Sequence, residues 1–497
     1  MNMDPDMKTV FIRPGVKPSI TTPIVVTDKT TIGSTGPSEK SIPLEIADLS
    51  PEQRVAYQKF VQGANLFITG PGGTGKTRLI RNLVTYAESA NIKTAVCAMT
   101  GCAAVLLNCG ARTLHSWSGI KLATGAPRSI LDRIRRNKNL VNTWRSTKVL
   151  ILDEISMLSR RIFELVEEIA RTIRGSPRPF GGLQVVFTGD FFQLPPIGDE
   201  EQFCFESPIW NQVFPPTQQI ELTTMFRQRD PLYIQILLEI RRGEISEESS
   251  KLLAGYVNRE YDPANHNGCV PTKLFPLRSK VDYVNTMMFA KLTTPENVFE
   301  VTKKYDCLAH LESGKAIPAE IIKKCALLSA QDIDYEISNL INSTPCIQIL
   351  RLKVGAAVMC TINLDMEQSI CNGSQGIIID IIDNGKMKAP VVRFANGIIK
   401  TILPHFWQSE EYPTLAISQY PLCLAWALTI HKIQGATLEM AEIDIGQGIF
   451  EFGQTYVALS RIQSLGGLYL SAFQPQKIRS HPKVVEFYKN LVTVPMS

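Results

Sequence analysis

The sequence predicts an α/β protein with two parallel-sheet units, the second interrupted by a small β insertion. Three observations carry this reading. From about residue 44 to 218, apolar runs ("NLFIT", "KTAVCAM", "KVLILD", "LQVVFTG") alternate with segments whose apolar residues recur at i, i+3 and i+4. That alternation is the pattern of parallel strands covered by helices on both faces. A second region of the same kind ends the chain, with "CLAWALTIHK" and "GGLYLSAF" as its clearest strands. Between the two, over residues 350–415, short β runs broken by turn residues ("GAAVMCTI", "GSQGIIIDII", "APVVRFANG") mark a small barrel or meander.

The boundaries follow from shifts in the text. Residues 1–43 are rich in Thr, Ser, Pro and Gly, have few aromatics and show no sustained period, so a flexible tail is expected there. The first α/β unit takes 44–218. The second starts with 219–349, is interrupted by the insertion at 350–415 and resumes over 416–480, and 481–497 is left as a C-terminal tail.

Composition narrows the class. With 44 % apolar and 20 % charged residues the chain reads as soluble and globular. The apolar stretch Leu422 to Ile430 is too short to span a bilayer. The acidic N-terminus (Asp4, Asp6) argues against a secretory or mitochondrial leader. Eleven cysteines form no C-x-x-C pair, which fits reduced thiols in an intracellular protein, with nucleus and cytoplasm both open. A formal charge of only +5 means that affinity for nucleic acid must come from local basic clusters. One such cluster is Arg128, Arg133, Arg135, Arg136 and Lys138, offset by Asp132 alone; it reads as a solvated helix face or as a surface that tracks phosphates.

The chemistry starts at "GPGGTGKT", where Gly70, Pro71, Gly72, Gly73, Thr74, Gly75, Lys76 and Thr77 satisfy G-x-x-x-x-G-K-[ST] between a strand and a helix. Backbone N–H groups of such a loop converge on phosphates, with the positive end of the following helix behind them. Lys76 is expected to reach the β and γ oxygens, and the Thr77 hydroxyl to be a ligand for Mg²⁺. In "KVLILDEISML", four apolar residues carry Asp153 to the end of a buried strand, where it is expected to hold the Mg²⁺ through water. Glu154 follows and is expected to position and deprotonate the attacking water. In "LQVVFTGDFFQLPPI" the strand ends at Thr188 and Gln193 lies on the loop after it, an uncharged amide suited to sensing the γ-phosphate and passing its loss to Phe191 and Phe192. Arg227 in "LTTMFRQ" and Arg461 in "TYVALSR" are expected to reach the γ-phosphate across a cleft. The expected ligands are therefore ATP and Mg²⁺.

The ordered set "GPGGTGKT", "DEIS", "GDFFQLPP", "FRQ", "TIHKIQGATL" and "YVALSR" resembles superfamily 1 DNA helicases of the 5′→3′ group. "RPFGGLQVVFTGDFFQLPPI", with the basic amphipathic stretch Arg160 to Arg174 before it, is similar to the petite-integration-frequency (PIF) type in particular. The likeness runs from about residue 45 to 475. It implies two RecA-like domains with ATP in the cleft between them, an SH3-like insertion in the second, and a motor that works as a monomer on single-stranded, duplex or forked DNA. Carried over by position, Gln53 resembles the glutamine that reads the adenine edge. Thr100, Gly101, Thr113, His115, Ser116 and Phe191 resemble DNA contacts of the first domain, with Trp117 either stacked on a base or in the core. Gln434 and Gly435 resemble residues that link the nucleotide and DNA sites, and Ile433 stands where the family often has serine. His431, Tyr456, Asn363 and Asn372 are further DNA-side candidates. The 5′→3′ polarity rests on the resemblance alone.

Two other classes share parts of this pattern. A DNA-stimulated ATPase that remodels nucleoprotein without unwinding would carry the same ATPase motifs. A P-loop phosphotransferase acting on a small molecule would not need a second α/β unit supplying Arg461.

Overall fold

The computed structural model describes residues 48–491 apart from 108, 122, 124, 197, 199–201, 262–268, 306–318, 366–367, 386 and 410–411. The expected tail at 1–43 lies outside the described residues. The first unit is built on six strands: β1 (Leu66–Thr69), β2 (Thr94–Ala98), β3 (Arg112–Thr113), β4 (Val149–Asp153), β5 (Gln184–Thr188) and β6 (Gln219–Glu221). Their order is β3-β2-β4-β5-β1-β6, and every pairing is parallel. β4 is buried along its whole length, as a central strand covered on both faces must be.

Helix α1 (Pro51–Val61) starts at a capping box in which the Ser50 hydroxyl and the Gln53 amide satisfy each other's backbone N–H groups. Helix α2 (Lys76–Ser89) leaves the phosphate loop and buries Leu79, Ile80, Leu83, Val84 and Ala87 against the sheet. This 3.6-residue stripe is legible in the sequence.

The second parallel sheet has four strands in the order Ala427–Thr429, Thr272–Phe275, Ala441–Ile445, Leu468–Phe473. The insertion is antiparallel throughout. A five-stranded sheet runs Ile399–Thr401, Lys388–Phe394, Gln375–Asp383, Ala357–Cys360, Leu422–Leu424, with smaller sheets beside it that recruit Asn297–Glu300 and Thr302–Lys304.

Three expected boundaries are corrected. β6 pairs with β1, so the first sheet ends at Glu221 and not at 218. The insertion reaches outside 350–415 in both directions. The run "CLAWALTIHK" serves two sheets: Leu422–Leu424 closes the antiparallel sheet and Ala427–Thr429 opens the parallel one. Between them the Ala425 carbonyl accepts from the Thr272 hydroxyl at 2.7 Å. Continuous apolar text cannot reveal such a change of partner.

The third correction concerns the C-terminal segment. Within 481–497, residues Pro482–Lys489 form a helix, not a tail. Val484, Phe487 and Tyr488 lie on one face of it and return to the first unit. There Phe487 packs on Phe67, Phe191, Phe205 and Trp210, with ring centroids 4.4–6.2 Å apart. Among the described residues, no helix is long and apolar enough to cross a membrane.

Candidate active site

The phosphate loop is shaped by the groups pressed against it. Gly70 has φ +138°, and a Cβ there would lie 2.3 Å from the Leu222 carbonyl oxygen, so only glycine fits between β1 and the end of β6. At Gly72 a Cβ would approach Arg461 Nη2 to 3.3 Å, which puts that guanidinium directly over the loop. The Lys76 ammonium donates to the Gly70 and Pro71 carbonyls at 2.7 and 3.0 Å. Desolvation lowers its pKa against the opposing attraction of Asp190, Glu154 and Asp153.

Gln53 is fully buried. Its Nε2 donates to the Thr74 carbonyl at 3.0 Å and its Oε1 accepts from Ser50 N–H at 3.1 Å. The structure therefore sets this side chain against the loop with both ends of its amide engaged, rather than open to a base.

Asp153 ends β4 and accepts a hydrogen bond from the Thr188 hydroxyl at the end of β5. Burial, then the neighbouring Glu154, push its carboxyl up to about 6. The Thr77 hydroxyl has no hydrogen-bond partner among the described residues. Both groups fit a Mg²⁺ ligand set. Glu154 has φ +56° and ψ +44°, the left-handed region that non-glycine residues seldom enter. This turn aims its carboxylate across the cleft.

On the far side, Gln434 Nε2 donates to Glu154 Oε2 at 3.1 Å and lies 3.5 Å from Gln193 Oε1. One amide of the second unit thus touches both the expected base and the expected sensor of the first. Arg461 is 2 % exposed, with Nε donating to the Val457 carbonyl at 3.1 Å. Arg227 Nη1 donates to the Ser460 carbonyl at 3.0 Å. Desolvation, then Arg461, lower the Arg227 pKa to about 9. Neither guanidinium has an ion pair among the described residues, and two cations that repel each other suit an anion. Arg227 follows β6 and is tied to the loop by Phe226 N–H donating to the Gly73 carbonyl at 2.9 Å; it lies at the junction of the units, whereas Arg461 belongs to the second.

The DNA-side candidates divide. Ala98 and Thr113 are paired neighbours on β2 and β3, so Thr100, Gly101, Thr113, His115 and Ser116 gather at one end of the sheet. Thr100 and Thr113 use their hydroxyls as caps for the helices that follow. Gly435 backs onto Leu106 from across the cleft, bringing the His431–Gly435 turn to the same edge. Asn363 accepts from Asn372 N–H at 3.1 Å, and Gly373 lies against the Thr437 carbonyl, so this turn of the insertion adjoins that edge too.

Three aromatic residues stand elsewhere. Phe191 is 2 % exposed in the aromatic core, stripped of any open face for a base. Trp117 packs on Trp144 at 4.4 Å in the core. Tyr456 is 1 % exposed, and its hydroxyl accepts from Gly72 N–H at 2.8 Å and donates to Asp190 at 3.2 Å, so its contacts are with the phosphate loop. In the basic cluster, Arg133 donates to the Gly119 and Ile120 carbonyls, while Arg128, Arg135, Arg136 and Lys138 are exposed without an ion pair among the described residues.

Sequence reasoning passed over the group at the centre of this site. Asp190, fully buried, receives Arg241 in a forked pair at 3.0–3.2 Å together with the hydroxyls of Tyr456 and Tyr488. Burial alone would lower the Arg241 pKa; Asp190 outweighs it and raises it. Arg241 also lies over the rings of Phe192 and Tyr488, at 4.6 and 5.0 Å. An acidic residue within "GDFFQLPP" was the available signal; its partners stand 51 to 298 positions away.

Comparison with known proteins adds the following. The PIF1-like helicase family profile matches residues 48–251, and that of the DNA helicase Pif1 2B domain matches residues 337–381. The ATP-dependent DNA helicase PIF1 of Emericella nidulans is 34 % identical over 90 % of this chain, which spans 64 % of that relative's length, just under two thirds. The crystal structure of Pif1 helicase from Candida albicans is 34 % identical, with 89 % of this chain and 99 % of that one covered and a TM-score of 0.68. That of Pif1 helicase from Bacteroides in complex with ADP-AlF3 and ssDNA is 26 % identical, with 89 % and 96 % covered and a TM-score of 0.56.

Proposed function

This chain belongs to the PIF1-like helicase family, and from that premise we propose that it is an ATP-dependent DNA helicase moving 5′→3′ on single-stranded DNA and separating duplex ahead of it. The observation that carries the reading is the Gln434 amide. It lies on a turn at the DNA-side edge and touches both Glu154 and Gln193. A site whose expected base and sensor both touch that turn is suited to tying hydrolysis to the state of a bound strand. The Bacteroides relative, solved with a nucleotide analogue and single-stranded DNA together, supports the same pairing of ligands.

In this mechanism the loop amides and Lys76 bind the β- and γ-phosphates of ATP. Thr77 and Asp153 would hold Mg²⁺, which would supply positive charge to the phosphates when bound. Glu154 orients the attacking water and takes its proton. Arg227 and Arg461 stabilise charge that develops on the transferred phosphoryl group, and Gln193 reports its loss. A strand lying along Thr100–Gly101, Thr113–Ser116 and the His431–Gly435 turn spans both units and favours the closed cleft. Hydrolysis releases that grip, so the two units alternate their hold and the chain steps along DNA. The motor works as a monomer on single-stranded or forked substrates.

Unwinding of duplexes bearing a 5′ or a 3′ overhang, with and without ATP, tests this. Separation is expected from the 5′ overhang and only with ATP. Unwinding from a 3′ overhang alone overturns the polarity, and DNA-stimulated ATP hydrolysis with no strand separation from any substrate overturns the helicase reading in favour of a remodelling ATPase.

A further inference from the structure

The C-terminal helix Pro482–Lys489 ends its buried face in Tyr488, and the phenol meets the nucleotide machinery at three points. It donates to Asp190 Oδ1 at 3.3 Å, accepts from Phe191 N–H at 3.2 Å, and is hydrogen bonded to the Thr69 hydroxyl. Thr69 is the last residue of β1, directly before Gly70. Phe191 belongs to the turn that carries Gln193, whose N–H donates to the Asp190 carbonyl at 2.9 Å. One hydroxyl therefore ties the base of the phosphate loop to the turn that holds the sensor. The ring stacks on Phe192 at 4.6 Å and 29° and faces Arg241.

We propose that Tyr488 is a positioning residue for ATP hydrolysis: it fixes the Asp190–Gln193 turn relative to the phosphate loop, so that Gln193 meets Gln434, the amide that also holds Glu154. This deepens the ATPase part of the function proposed above and rests on it. Tyr456 reaches Asp190 from the second unit, touching Oδ2 and Gly72 N–H. Asp190 is thus held between two phenols, one from the second unit and one from the C-terminal helix. Arg241 alone would neutralise its charge without fixing the turn, because its fork has no contact with the backbone of residues 191–193 among the described hydrogen bonds. The sequence offers no motif for this role, since "EFYK" near the end of the chain reads as an ordinary amphipathic turn.

Tyr488→Phe keeps the ring on Phe192 and Arg241 and removes only the hydroxyl, so it is the informative variant. With oligo-dT saturating, kcat for ATP should fall about five- to tenfold as the turn loses the three contacts of this hydroxyl. KM for ATP should stay within about twofold and the thermal midpoint within a few degrees. Retention of ADP–aluminium fluoride should weaken while that of ADP does not, which a merely structural role would leave unmoved. Thr69→Val removes the partner hydroxyl, and the double variant should lose no more kcat than the worse single one. Wild-type kcat in Tyr488→Phe, a loss confined to KM or to stability, or full additivity with Thr69→Val overturns the proposal. If the wild-type enzyme hydrolyses ATP without stimulation by DNA, the helicase reading fails, and the same kcat comparison on basal hydrolysis still decides Tyr488.

Discussion

Gln434 donates a hydrogen bond to the Glu154 carboxylate at 3.1 Å from the opposite side of the cleft. The contact joins the expected catalytic base to a turn that ends at the DNA-side edge, and it makes the amide a candidate for the coupling between strand and hydrolysis. Gln434→Ala should reduce DNA-stimulated turnover by about tenfold or more, as expected for losing a hydrogen bond to a charged group. Affinity for oligo-dT should change little. ATPase rates with and without oligo-dT, alongside fluorescence anisotropy, check this; unchanged stimulation would dismiss the contact as incidental.

Arg461 is buried over Gly72, within reach of whatever the loop binds. Arg461→Ala should cost far more in turnover than in nucleotide affinity, with a loss approaching roughly 10³-fold by analogy with arginine fingers. Lysine should rescue little, because a point charge cannot reproduce the planar fork. Steady-state ATPase set against nucleotide binding by titration separates the two effects.

Lys76 is the cation seated on the loop itself. Lys76→Ala should abolish ATP hydrolysis and leave single-strand binding largely intact. A variant that loses DNA binding together with its cooperative thermal transition would show the lysine to be structural.

Glu52 precedes Gln53 on α1 and accepts from the hydroxyls of Thr223 and Thr224, pinning the connection between the units. Burial alone would raise its pKa, but the hydroxyls of Thr223, Ser50 and Thr224 outweigh that and hold it at about 2. A carboxyl depressed on folding contributes stability above its unfolded value, and the contribution fades as pH falls from about 4.5 toward 2. Glu52→Gln should therefore lower stability by about 1–2 kcal/mol at pH 7, with the gap to wild type narrowing below pH 4.5. Urea titrations at pH 7 and pH 4 check the sign; a gap that widens in acid contradicts it.

Phe487 is half-buried against four aromatic rings. Phe487→Ala should destabilise the protein by about 2–3 kcal/mol, at or just below the range for a fully buried phenylalanine because this ring is half-buried. Guanidinium unfolding measures it, and a neutral result would mean the helix does not hold the first unit's core.

Much of this architecture was legible. The stripe on α2, the strand carrying Asp153 and the glycine loop are local patterns with a short period, and periodicity reports them directly. Proximity in space was not legible. Tyr456 and Phe191 are DNA-side candidates by their position in the motifs, yet burial at 1 and 2 % leaves them no open face. The helix at Pro482–Lys489 is two turns long, too short for its spacing to stand out from a tail. The role of Asp190 depends on Arg241, Tyr456 and Tyr488, and nothing local in "GDFFQLPP" points to them. Likewise, the splitting of "CLAWALTIHK" between two sheets depends on Thr272 and on partner strands distant in sequence.

The return of the C-terminal helix to the first unit also bears on how the molecule is made. Thr69 and Tyr488 are separated by 419 positions, yet their hydroxyls meet beneath the nucleotide loop. While the chain grows on a ribosome, Phe67, Phe191, Phe205 and Trp210 emerge long before Phe487 can cover them. The first unit must therefore wait, incompletely closed, until almost all of the described chain has been synthesised. Exposed aromatic surface in such a waiting state is what chaperones bind and what aggregates form from. Contacts of this sequence separation are also slow to find. A fragment ending before residue 482 would leave those four rings without Phe487, although it contains the whole phosphate loop.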